Sequence, residues 1–174
     1  MGGQTVPNRV EVKLGTGGQI DIFNAAGSVQ VIADVNGWFT DGSSPTASGG
    51  MVTGLTPARI LDTRNGTGGF HAPVGPGAKI YPQVATNGGV PAMSYAIPPR
   101  AVVLNVTVTN TTAPSDLRIF PSDVNPPNAS DLNFVAGQTV PNLVVVKLGP
   151  DGYIGIYNAG GSTDVIVDVL GWYN

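Results

Sequence analysis

Apolar and polar residues alternate with a period of two in short runs, and a turn signal closes each run. Val10, Val12 and Leu14 alternate with Arg9, Glu11 and Lys13, the spacing that turns one side of an extended strand to a core and the other to water. Gly15-Thr-Gly-Gly18 then supplies residues tolerant of positive φ, as a hairpin turn requires. Ile20, Ile22 and Phe23 make a second strand, Asn24-Ala-Ala-Gly27 a second turn, and Val29–Val35 a third strand. Helix is disfavoured, because β-branched residues dominate these runs and Gly or Pro interrupts each one.

The same pattern returns near the other end. Residues 3–40 and 137–174 align at an offset of 134 without a gap, and 24 of the 38 positions are identical. Such identity predicts one local structure for both segments. A weaker third copy runs over 101–135, where Leu104, Val106 and Val108 alternate and Leu117–Phe120 matches Ile154–Tyr157. Residues 41–50, Asp-Gly-Ser-Ser-Pro-Thr-Ala-Ser-Gly-Gly, have linker composition. The expected organisation is a half repeat of three strands over 1–40, equivalent to 135–174, then the linker at 41–50, then one complete β domain over 51–174. The expected fold is all-β, an antiparallel sandwich or barrel-like domain built from internal repeats. A β-trefoil is the alternative, because of the third copy.

Composition narrows the function. Charged residues make up 11% of the 174, well under the usual share of about 25%, so the surface is built from Ser, Thr, Asn, Gln and Gly. The net charge is −3 and no run of Lys or Arg occurs, which argues against nucleic acid as a partner. There is no cysteine, hence no disulfide and no thiolate metal site. No apolar stretch approaches the ~18 residues of a membrane-spanning helix, and residues 1–10 carry no apolar signal core. An export signal is therefore expected to be removed or to lie outside these residues.

Four segments carry a family likeness: Leu55-Thr-Pro-Ala-Arg-Ile-Leu-Asp-Thr-Arg64, Ala101-Val-Val-Leu-Asn-Val-Thr-Val108, Gly137-Gln-Thr-Val-Pro-Asn142 and Val165-Ile-Val-Asp-Val-Leu-Gly-Trp-Tyr173. Together they resemble a repeat domain of large exported proteins of actinobacteria and related Gram-positive or thermophilic bacteria. In that family the domain stands in tandem or beside hydrolase domains. The resemblance implies export and a surface or accessory role, and it brings no catalytic residues. This chain differs in starting within a repeat.

Candidate chemistry is sparse. The single histidine, His71, lies in a Gly- and Pro-rich stretch, and no Gly-x-Ser-x-Gly elbow accompanies it. No catalytic residue and no metal ligand is assigned, and no cofactor is expected. Asp123–Asp131 gathers oxygen ligands but departs from a calcium loop by its Pro pair and its missing Gly and Glu. Asp34 and Asp168 each sit between apolar strand residues and need partners if buried. Arg59 and Arg64 are the candidates for structural ion pairs. Trp38, Trp172 and Tyr173 follow Gly at the ends of the two copies, where aromatic faces suit either core packing or stacking on sugar rings.

The expected role is thus a non-catalytic, secreted or cell-surface structural or adhesive module. Its partners are copies of itself or sibling repeat modules, and it self-assembles head-to-tail into a filament through the N-terminal half repeat. The alternative is a carbohydrate-binding module, with surface glycans as ligand, that anchors an exported protein to cell wall or polysaccharide.

Overall fold

A computed structural model describes residues 6–10, 12, 14–35, 37–38 and 50–174. Eight strands are formed: β1 (Val52–Asp62), β2 (Lys79–Ile80), β3 (Ala101–Thr109), β4 (Ser115–Pro121), β5 (Leu132–Phe134), β6 (Val140–Lys147), β7 (Ile154–Asn158) and β8 (Asp164–Tyr173). Every strand pairing is antiparallel, and no helix is present among the described residues. The fold is all-β.

The strands form two four-stranded sheets, in the orders β1-β8-β3-β6 and β2-β7-β4-β5. Their inner faces share one core. Val102, Leu104, Val106 and Val108 of β3 and Val165, Val167 and Val169 of β8 meet Leu117 and Ile119 of β4 and Ile154 and Ile156 of β7. β3 shows why: alternate residues are buried from Val102 to Val108, and those between are half-buried. This is a sandwich, with one side of each strand inside.

Consecutive strands change sheet, except β4 and β5, which pair in the second. β6 and β8 flank β3 in the first sheet, and β7 lies in the second beside β4. β6–β7–β8 is therefore no free-standing three-stranded meander. Its strands hydrogen-bond mainly to β1, β2, β3 and β4, so residues 51–136 act as a frame that 137–174 completes. β8 ends where β1 begins. Val52 pairs with Tyr173, and the Met51 amide donates to Asn174 Oδ1 at 2.9 Å.

Residues 6–38 differ from the expectation of three strands. Among those described none is in a strand, and nearly all are exposed. The reason is the one just given: the equivalent strands in 137–174 pair with a frame already occupied by that copy. The linker at 41–50 lies outside the described residues apart from Gly50.

Candidate functional site

β1 ends at Asp62 within the Leu-Asp-Thr-Arg motif, and Thr63 and Arg64 stand in the turn that follows. Asp62 is fully buried and receives a paired grip from Arg64, Nε to Oδ1 at 2.8 Å and Nη2 to Oδ2 at 2.7 Å. The Arg64 amide adds 3.1 Å to Oδ1, and Arg59 reaches Oδ2 at 3.3 Å. The side-chain bond from Arg64 holds the Asp62 carboxyl at about 2, against the opposing pull of burial. Arg59 also grips Asp168 of β8, Nε to Oδ1 at 2.9 Å and Nη2 to Oδ2 at 3.2 Å, and the hydrogen bond to Asp168 raises the guanidinium pKa. Thr63 completes the lock: its hydroxyl donates to Asp164 at 2.7 Å and accepts the Val165 amide at 3.0 Å.

Asp168 is thus paired with Arg59, one of the two candidate arginines. Arg64, in the turn that follows β1, pairs with Asp62 at the end of that strand, a residue the sequence pattern did not single out. Asp34 is exposed and has neither arginine in an ion pair. Trp172 pairs with Thr53 and packs against the core cluster. Tyr173 is half-buried beside it, whereas Trp38 is 83% exposed. The two tryptophans therefore meet different surroundings. His71 is exposed in a loop. Among the described residues no group of three His, Asp or Glu side chains gathers as metal ligands would.

Beside Arg59 opens a shallow cleft of about 350 Å³ lined by Thr67, Gln83 and Asn87 among others. Its lining is mostly polar and holds no aromatic ring. Across the molecule, Asp131 accepts the Ile119 amide at 2.8 Å. Burial raises its carboxyl to about 6; that amide and the charge of Arg9 pull it down, and Asp34 pushes it up. Both latter residues belong to the first copy. Arg9 also reaches the carbonyls of Leu143 and Val145 on the edge strand β6, at 3.4 and 3.5 Å.

The first copy carries the strongest anomaly. Val10, Ile22 and Val35 are 73%, 61% and 89% exposed, while their equivalents Val144, Ile156 and Val169 are buried. Val12, Leu14, Ile20, Val31 and Ile32 repeat the contrast against Val146, Leu148, Ile154, Val165 and Ile166. Its turns, however, are formed. The Gly15 amide bonds to Gln19 O at 2.9 Å and the Gly18 amide to Gly15 O at 3.1 Å, as Gly149 does to Tyr153 and Gly152 to Gly149 in the second copy. Asn24 Nδ2 donates to Gly27 O at 3.0 Å, as Asn158 does to Gly161 O. Asn158 goes further, to Val74 O at 2.9 Å and Gly75 O at 3.3 Å, and accepts from Ser115. Asn24 makes the local bonds alone.

No protein-family model matches the chain, and no curated protein matches it.

Proposed function

We propose that this chain is a non-catalytic structural or adhesive module of an exported protein, joined to copies of itself or to sibling modules through residues 6–38. One observation carries the reading: a row of apolar side chains whose equivalents fill the sandwich core stands in water. Each is worth roughly 1.5–3 kcal/mol on full burial, so a partner that covers the row gains many such terms. A monomer that kept the row exposed would be prone to association. The low charge supports the same reading, since few like charges oppose close approach of modules. So does the resemblance to tandem domains of exported proteins. A head-to-tail contact that does not close on itself gives a filament.

Electron microscopy and sedimentation of the full chain, against a chain beginning at Gly50, test it. The full chain associates as its concentration rises, and the shortened chain stays monomeric. A full chain that remains a monomer at millimolar concentration rules out joining to copies of itself.

The polar cleft beside Arg59 favours a second reading, carbohydrate binding, because amide and guanidinium groups match sugar hydroxyls in paired hydrogen bonds. A glycan array decides it. Binding that is lost on Gln83→Ala or Asn87→Ala supports the cleft, and binding lost on Trp38→Ala supports aromatic stacking. An array with no binding removes this reading.

A further inference from the structure

We infer that residues 3–40 are a second β6–β7–β8 unit, and that their partner is the β1–β5 half of a sibling module, differing from residues 51–136 at identifiable positions. The first part follows from what is preformed and what is missing. The glycine turns and the Asn24 turn already hold the shape they have in the folded domain. What the copy lacks, among the described residues, is long-range: strand partners for Val10, Val12, Leu14, Ile20–Phe23 and Val29–Val35, carbonyls for Asn24 of the kind Val74 and Gly75 give Asn158, and an arginine for Asp34 of the kind Arg59 gives Asp168. All of these come from β1–β4 and the loops between them. The object that completes residues 3–40 is thus another β1–β5 half.

Chain connection would permit the half in the same molecule. Phe39, the equivalent of Tyr173, would pair with Val52, and the twelve residues 40–51 exceed what a hairpin connection needs, roughly two to five. Side chains oppose it. Asp21 stands where the second copy has Gly155, whose position pairs with Phe120. A Cβ at 155 would meet Phe120 ring atoms, and Phe120 is 1% exposed. Entry of Asp21 would expel that ring and bring a charge against it. Val29 stands in place of Thr163, whose hydroxyl donates to Thr109 O at 3.0 Å; valine leaves that bond unmade. Ala33 stands in place of the fully buried Val167 and leaves a cavity. Three positions conflict with this half, so the matching half carries different residues at them: a small or cationic one opposite Asp21, and bulk opposite Ala33.

The inference takes its biological sense from the joining role proposed above, but its test does not depend on self-association. The 51–136 half of the full chain is vacated by Val165→Asp with Val167→Asp, both at fully buried sites, and unfolding is followed by circular dichroism and Trp38 fluorescence. With the first copy unaltered, the cooperative melt is lost. Adding Asp21→Gly, Val29→Thr and Ala33→Val restores a cooperative melt and shifts Trp38 emission to shorter wavelength. Restoration without these three changes overturns the choice of a sibling half. Failure to restore with them overturns the docking itself. The reciprocal chain, otherwise native, carries Gly155→Asp, Thr163→Val and Val167→Ala. Its melting temperature falls by more than about 15 °C; a fall of only a few degrees refutes the mismatch.

Discussion

Two carboxylates set opposite pH responses within one sandwich. Asp62, held at about 2 by Arg64, stabilises the fold above the ordinary carboxylate range of about 4, and that contribution is lost as pH falls from there through 2. Asp131, raised by burial to about 6, binds its proton more tightly folded than unfolded, so stability rises as pH falls from above 6 towards 4. The melting temperature is therefore expected to climb from pH 7 to about 4 and to drop below it. Asp131→Asn flattens the upper limb and Asp62→Asn the lower, as melts across a pH series will show. The Asp62–Arg64 pair is made by the turn that follows β1, which folds Arg64 back so that both its amide and its guanidinium reach the carboxylate. Arg59 and Asp168, far apart in sequence, pair across β1 and β8; opposite charge named both arginines as candidates but could not say which one Asp168 takes.

Among the strands, those with long alternating runs were legible and those without were not. β3, β6, β7 and β8 lie where apolar alternation and glycine turns placed them. β2 has two residues and β5 three, too few for any periodicity to register. Which sheet each strand joins was also hidden, because a period of two gives a face and not a neighbour. That is why residues 10–35 read as three strands, yet those of them that are described are unpaired: strand pattern is local, and pairing needs β1–β4. Asn158 shows how much the frame adds. Asn158→Ala removes a buried link between β7, Val74 and Gly161 and is expected to cost about 3 kcal/mol in denaturant unfolding. Asn24→Ala, at the equivalent turn, is expected to change the stability of the domain by less than about 0.5 kcal/mol. Val165→Asp and Val31→Asp should diverge in the same way, the first abolishing the cooperative transition and the second leaving it in place.

Among the described residues stand one frame, over 51–136, and two segments that share the sequence pattern of β6–β7–β8. The second segment fills the frame, and the first stands open with its turns formed and its apolar row in water. Both the joining role and the sibling partner come from that arithmetic, which the repeat made visible in the sequence but only the sheet topology could explain. Hydrogen exchange by mass spectrometry on the full chain, over a series of concentrations, tests the claim most directly. Residues 6–38 should exchange within seconds in dilute protein and slow as association covers their apolar row, though by less than docking on a matched sibling half would give, with residues 51–174 protected throughout. Protection of residues 6–38 already in the dilute monomer, or none in the associated protein, would contradict the account.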